Sequence, residues 1–256
     1  MKHLKLFNQA SEYEAYMGGE DVALPNVSYC EDGKVYYNPI VEPASSYVAV
    51  DLGLPSGRLW ADRNVGATSP EEAGLYFAWG DTVGYTRDQV GKDKAFSSDW
   101  SDYFDTNDGG KTFNKYTTDK LTRLEASDDA ATVNMGSDWR MPTYDDLREL
   151  TYNTTYTFID LQGNEFSESE ATNGAIAEGN LKGVKFTGSN GNSIFIPALG
   201  ICADSGCVNI NSQGCTLTSD LVWDPINGYG LGFWYDSRPG IGYLKRCFGN
   251  QVRGVK

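Results

Sequence analysis

A chain of 256 residues with 40% apolar and 13% aromatic residues can bury a sizeable core, which excludes a disordered protein and allows one large domain with a small appendage. Thirty-five acidic against 21 basic residues leave a net charge of −14, which excludes nucleic acid or an anionic membrane as the main partner, because phosphate binding rests on clustered Lys and Arg. Twenty-nine glycines and 16 tyrosines favour turn-rich, β-containing structure over a helical bundle.

The N-terminal "MKHLKLFNQASEYEAYM" lacks the apolar stretch of a signal peptide, and no apolar run approaches the ~18 residues of a membrane span, so cytoplasmic synthesis is expected. Ser11 and Glu14 have capping-box spacing ahead of a short amphipathic segment that Leu24-Pro25 ends. "VSYCEDGKVYYNP" reads as a hairpin about a two-residue Asp32-Gly33 turn. Residues 1–47 are too few for a core of their own and read as an arm for docking or oligomerisation, with residues 48–256 as the main domain. A strand at Tyr47–Leu52, a turn at Pro55-Ser56-Gly57 and a strand through Leu59-Trp60 open that domain, followed by a short aromatic strand, "GLYFAWG", at 74–80. Asp81 to about Thr118 is polar and rich in Gly, Asp and Lys, and reads as irregular loop. The clearest helix starts at Thr143, a capping residue, with Asp145 and Asp146 where the helix dipole favours them and Leu147 and Leu150 facing inward. Val184-Lys185-Phe186 and Ser193–Ile196 flank a Gly188–Gly191 turn as a second hairpin, and short strands and loops follow.

Near the C-terminus stands "NGYGLGFWYDSRPGIGYLKRCFGNQVRG", Asn227 to Gly254, in which glycine, aromatics and isolated cations mix without the clean alternation of a buried strand pair. From Leu221 to Lys256 five basic residues face only Asp224 and Asp236, so this is a mildly cationic, aromatic patch on an acidic chain. Gly228, Gly230 and Gly232 form G-x-G-x-G, which is no dinucleotide fingerprint and has no βαβ pattern around it.

His3 is the only histidine, which removes Ser-His-Asp and Cys-His nucleophile systems and His-rich metal sites. No sequence rule selects a glycosidase pair among 35 carboxylates. "DWSDYFDTNDGG", Asp99–Gly110, has the composition of a calcium loop but fails its spacing, because Gly109 falls where a third ligand belongs after Asp105 and Asn107. Calcium there is the one cofactor candidate, an acidic surface loop is the default, and no cofactor is expected. Five cysteines are an odd number, and the spacing of Cys202, Cys207, Cys215 and Cys247 fits no common zinc site, so free or opportunistically paired thiols are expected.

Four blocks in order carry a family likeness: "VDLGLPSGRLWADRNVGA" (50–67), "GLYFAWGD" (74–81), "DDAATVNMGSDWRMPTYDDLREL" (128–150) and "FTGSNGNSIFIPALG" (186–200). They resemble the "major paralogous domain" family of gut Bacteroidetes and their phages, most recognisably in Trp139-Arg140-Met141-Pro142-Thr143 followed by a short helix. The resemblance spans roughly residues 48–255 and implies an α+β, C-type-lectin-like fold related to formylglycine-generating-enzyme-like domains, with short strands, few helices and much loop. In the tail, Val222-Trp223-Asp224-Pro225-Ile226 stands where the family carries aromatic-Trp-Ser-Ser-Thr, and Arg246–Val255 carries the final frame with Gly254 in place of Pro. Substitution concentrated there is similar to the variable region of diversity-generating-retroelement target proteins, which display hypervariable residues on a C-type-lectin scaffold.

That likeness implies a non-enzymatic ligand-binding protein with a variable region at about 221–250, a phage receptor-binding or adhesin tip protein. Its ligand-binding residues would be Leu221, Asp224, Pro225, Asn227, Tyr229, Leu231, Tyr235, Arg238, Tyr243, Leu244, Arg246, Cys247, Phe248 and Asn250. Mutagenesis at template adenines does not create Trp, Lys or Gln, so Trp223, Trp234, Lys245 and Gln251 would be frame, with Phe233, Val252 and Arg253 as scaffold. The implied partners are a protein or carbohydrate receptor on a bacterial surface and, through the arm, other virion proteins or further copies of the chain, with no nucleic acid and no membrane. The implied location is the virion or the outside of the cell after lysis. No Glu-Pro-Asn or Gln-Pro-Asp motif is present, so calcium-dependent sugar binding is not expected. The alternatives are a virion decoration domain without a specific ligand and a formylglycine-generating-type enzyme using Cys202/Cys207 or Cys215/Cys247.

Overall fold

The structure, a computed structural model, describes residues 5–6, 27–29, 35–37, 47–96, 116, 121–203, 206–223 and 226–256. The chain divides into two units, Met1–Ser46 and Tyr47–Lys256. In the first, β1 (Lys5–Leu6), β2 (Val27–Tyr29) and β3 (Val35–Tyr37) form an antiparallel sheet in the order β1-β3-β2. The expected hairpin pairing of β2 with β3 is present, but its register differs: Tyr29 stands opposite Val35, whereas a two-residue Asp32-Gly33 turn requires Tyr29 opposite Tyr36. The helix expected after Ser11 lies outside the described residues.

The second unit is largely β, with three short α-helices among its described residues. It opens with β4 (Ala49–Asp51) paired to β5 (Leu59–Ala61). Between them the Gly57 N–H donates to the Leu54 carbonyl at 2.9 Å, and Gly57 adopts φ +72°, a left-handed geometry that glycine takes without steric cost. The other edge of β5 is taken by the C-terminus: Leu59 N–H donates to Lys256 O and Ala61 N–H to Gly254 O, both at 2.9 Å. The last eight residues continue through the core as a stitch. Val255 pairs with Trp60 and Arg140, Gln251 with Thr216, Asn250 with Phe77 and Gly249 with Cys202.

Three capped helices follow the capping signals in the sequence. In α1 (Ala130–Met135) the Asp129 carboxylate accepts from Thr132 N–H, in α2 (Tyr144–Asn153) Thr143 and Asp146 form a reciprocal box, and in α3 (Glu168–Thr172) Ser167 and Glu170 do the same. The Trp-Arg-Met-Pro-Thr motif before α2 acts as a junction. Met141 N–H donates to Asp129, Pro142 O accepts from Ser219 N–H at 2.8 Å, and Asp146 gathers Arg140 Nη1 at 2.7 Å and Arg58 Nε at 3.0 Å besides Thr143. Burial opposes ionisation of Asp146, but the hydrogen bonds from Arg140 and Thr143 outweigh it and hold its pKa below the ordinary value.

Beyond α2 a four-stranded antiparallel sheet runs in the order β7-β6-β8-β9, from β6 (Thr155–Asp160), β7 (Glu165–Phe166), β8 (Leu181–Thr187) and β9 (Ser193–Pro197). The hairpin β10 (Leu199–Ala203) with β11 (Gly206–Ile210) comes next, then a three-stranded sheet of β12 (Gln213–Leu221), β13 (Asn227–Trp234) and β14 (Ser237–Lys245). One core cluster joins Leu147 and Leu150 of α2 to Phe158, Val184, Phe186, Leu231 and Phe233; a second gathers Trp79, Tyr116, Met141, Leu217 and Val252.

Two expectations are corrected and that for the cysteines is made specific. The segment 74–80 is not a ladder strand: it is buried on both sides from Tyr76 to Trp79 and held by single bridges, Tyr76 to Tyr85 and Phe77 to Asn250. Of the thiols expected to be free or opportunistically paired, Cys202 and Cys207 form a disulfide between directly opposed positions of β10 and β11, and Cys215 and Cys247 form none among the described residues. The C-terminal stretch is a regular hairpin of eight- and nine-residue strands. Its alternation is apolar against glycine rather than apolar against polar. Tyr229, Leu231 and Phe233 share one face, and on the other Gly228 leaves room for Trp79 and Gly230 for Leu244.

Candidate ligand-binding face

The hairpin β13–β14 is fixed in register before any surface chemistry is considered. Arg246 N–H donates to Ile226 O at 3.0 Å, which makes the even-numbered positions of β14 the hydrogen-bonded ones, because pairing runs unbroken from Asn227↔Lys245 to Gly232↔Gly240. Tyr229 and Tyr243 are therefore a directly opposed pair without mutual hydrogen bonds, the type with the closer side chains, and their ring centroids lie 5.7 Å apart. On the other side of Tyr229 stands Tyr144, the first residue of α2, with ring centroids 4.8 Å apart.

Tyr144 at one end of this three-tyrosine row and Tyr229 at its middle are anchored through their backbones. Tyr144 N–H donates to Asp220 Oδ2 at 2.7 Å, and the same carboxylate takes the forked guanidinium of Arg123 through Nε and Nη2. Thr218 Oγ1 donates to Tyr229 O at 2.7 Å. Burial first, then the neighbouring Tyr243, Tyr144 and Asp220, raise the Tyr229 pKa, so this central phenol is neutral at ordinary pH. Tyr243 is 60% exposed, Tyr144 is 37% exposed, and Trp223, just after β12, is 86% exposed.

The structure separates the residues assigned to binding from sequence into three groups. Arg238 and Tyr243 are exposed, and Leu221, Asn227, Tyr229, Tyr235, Leu244 and Phe248 are half-buried. Leu231, Arg246, Cys247 and Asn250 are buried and are corrected to scaffold. Leu231 lies in the core cluster containing Leu147 and Leu150 of α2, and the Arg246 guanidinium covers the Trp79 ring at 4.7 Å while its carbonyl accepts from Trp79 N–H. Asn250 is held by Phe77 through both backbone groups and donates its own amide to Phe248 O. Arg246, Cys247 and Asn250 are buried because the chain leaves the sheet edge after Lys245 and enters the core, and Leu231 because its side chain joins the core cluster from the middle of β13. Asp224 and Pro225 lie outside the described residues.

Among the residues expected as frame or scaffold, Phe233, Gln251, Val252 and Arg253 are buried, Trp234 is half-buried, and Trp223 and Lys245 are surface residues. Sequence reasoning did not include Tyr144 in the site. It lies 85 residues before Tyr229, and only the docking of α2 on the sheet brings the two together.

The remaining chemistry is sparse. Among the described residues no group of three or more His, Cys, Asp or Glu side chains could hold a metal ion, and no helix is long and apolar enough to cross a membrane. The calcium-like loop Asp99–Gly110 lies outside the described residues. Burial pushes the Cys215 thiol up to about 12, and Cys202 and Cys207 are joined, so none of these three offers a thiolate at neutral pH. Compared with protein families, with curated proteins and with solved structures, the chain matches none.

Proposed function

We propose that the chain is a non-enzymatic ligand-binding protein whose second unit is a C-type-lectin-like scaffold presenting the β13–β14 hairpin, in the manner of a phage receptor-binding or adhesin tip. The observation that carries this reading is the row Tyr144–Tyr229–Tyr243, exposed at both ends and anchored in its backbone. Tyrosine supplies large, amphipathic contact area with few rotatable bonds, so a pre-positioned row binds at low entropic cost. Pairing of the first strands with the C-terminal residues, and a core helix entered through the Trp-Arg-Met-Pro-Thr junction, support the scaffold assignment. The contact set is narrower than the sequence implies: Tyr144, Trp223, Tyr229, Tyr243 and Arg238 belong to it, and the four buried residues do not.

The test is binding of labelled protein to a panel of Bacteroidetes strains. Tyr243→Ala and Trp223→Ala, both at exposed positions, should each reduce binding at least tenfold while the melting temperature stays within about 2 °C, the range expected of surface substitutions. Binding that survives both changes refutes the assignment of this face. Diversification has its own test: an imperfect repeat of codons 221–253 beside a reverse-transcriptase gene, differing only at adenines.

A further inference from the structure

The unassigned feature that the geometry carries furthest is the outer edge of β14. Its even positions bond to β13, so the backbone groups of Pro239, Ile241, Tyr243 and Lys245 point away from the sheet. Pro239 fits this parity, because a proline within a strand is accommodated where its missing N–H faces outward. β14 is the last strand of its sheet, and among the described residues no backbone group accepts from the N–H of Ile241, Tyr243 or Lys245. α3 packs against β14 without hydrogen-bonding to its backbone. Gly240, Gly242 and Tyr243 are exposed.

Proteins commonly blunt such an edge with Pro, Lys or a covering element. Here Pro239 and Lys245 stand at its two ends, while the stretch between them keeps its outward donors and acceptors. We infer that β14 receives an extended polypeptide segment of another protein, which adds as a fourth strand beyond β14 and lays side chains against Tyr243 and Tyr229. The inference rests on the proposed function and specifies its ligand class.

Charge selects the occupant. The only charged residues of β14 are Arg238 and Lys245, both basic, exposed and without an ion pair among the described residues; Asp236 lies beyond them in the turn, and Glu168 stands near Arg238 across Tyr156. A second copy paired antiparallel through β14 would bring two further cations and no carboxylate within the strand to pair with Arg238 and Lys245, between molecules that each carry −14. An added strand with carboxylates near its ends instead places opposite charges beside these cations. At physiological salt, contacts closer than the ~8 Å screening length outweigh the net charge of the whole chain. Backbone bonds then supply affinity, and contact with the exposed Tyr243 ring supplies choice of side chain.

The experiment selects random decapeptides displayed on phage against the full chain, then synthesises the enriched peptides with blocked ends. The expected peptides carry Asp or Glu near their ends, slow amide exchange at Ile241, Tyr243 and Lys245 at least tenfold when bound, and lose at least 30-fold in affinity when N-methylated at alternate residues in one of the two phases but not the other. Arg238→Glu with Lys245→Glu should weaken them at least tenfold. Enriched peptides that need Tyr243 but leave those three amides unprotected, and tolerate N-methylation in both phases, overturn strand addition and leave the binding face standing. Failure to enrich any peptide, with binding to a glycan array that Tyr243→Ala abolishes, overturns the polypeptide class and keeps the face. Binding of neither probe nor any bacterial strain overturns both.

Discussion

Replacing Arg253 tests the claim that the C-terminal segment is the keystone of the second unit. The residue is fully buried, and its guanidinium donates to Asn64 Oδ1 at 2.9 Å, Ala61 O at 3.0 Å and Phe195 O at 2.8 Å, tying the C-terminus to β5, to the loop after it and to β9. Arg253→Met keeps most of the volume, so the cavity contribution is small, but it orphans three acceptors, two buried and one partly buried, at ~2 kcal/mol each, or ~6 kcal/mol at most. Relief from burying a charge with no carboxylate in hydrogen-bonding reach returns several kcal/mol, taken here as ~3. The expected net loss is about 3 kcal/mol, a large share of the 5–15 kcal/mol typical of a domain. Arg253→Lys should lose more than Arg253→Met, because it keeps the cost of burying charge while one ammonium cannot reach three acceptors in a fixed fork. Burial lowers the Arg253 pKa to about 9, still above neutral pH, so the guanidinium is charged in both states and its contribution does not change with pH through the neutral range. The assay is urea denaturation followed by tryptophan fluorescence, with Arg238→Ala as the surface control. A loss under 1 kcal/mol for Arg253→Met, or a lysine variant more stable than the methionine one, refutes the reasoning.

Further outcomes follow from the same packing. Gly230→Ala places a Cβ 2.3 Å from Leu244 Cδ1 and 2.8 Å from Thr216 O, and should cost about 2 kcal/mol in chemical denaturation. Gly242→Ala meets nothing within 4 Å and should change stability by no more than about 1 kcal/mol, in the stabilising direction; equal losses at the two sites would contradict the facing of the hairpin. Reduction of Cys202–Cys207, which closes a loop of sequence separation 5, should lower stability by about 2 kcal/mol on the chain-entropy account, read as the shift in denaturation midpoint with and without reductant. Asp146 has its folded pKa depressed, so its stabilisation is present above the unfolded value of 3.8 and disappears as pH falls through the folded one. The gap in stability between the parent and Asp146→Asn should therefore be constant from pH 7 to 5 and narrow below pH 4; a gap that widens in acid would reverse the sign of the argument.

What was legible in the sequence was local. The Thr143 box announces α2 because capping is completed within four residues, and the β8–β9 hairpin shows in its two apolar runs about a glycine-rich turn. The hairpin β13–β14 was not legible, because glycine at alternate positions removes the contrast on which a strand reading depends. The reason for those glycines lies far away in the chain, in the Trp79 indole above Gly228, or across the ladder, in Leu244 above Gly230. Burial of Arg246, Cys247 and Asn250 was hidden in the same way. An arginine in a variable-looking tail reads as surface unless Trp79, 167 positions earlier, is known to lie beneath it.

The candidate site shows the same division, and it bears on how the surface can vary. Tyr229 and Tyr243 were readable as contact residues from their clustering, but Tyr144 belongs to the face only because α2 crosses the sheet and Asp220 pins its first N–H. A face built from two distant parts of the chain has one part in the variable-looking region and one outside it. If substitutions are confined to 221–250, Tyr144 remains while its neighbours change, and the Thr218 hydroxyl still holds the backbone of position 229 whatever its side chain. Buried Leu231 and Arg246 cannot vary so freely, since each is packed on a fixed partner. Tolerance to substitution should therefore follow burial along this one face of the hairpin: wide at 229 and 243 and narrow at 231. Saturation mutagenesis scored by protease resistance would show this as high survival of most residues at 229 and 243 and survival of only large apolar residues at 231.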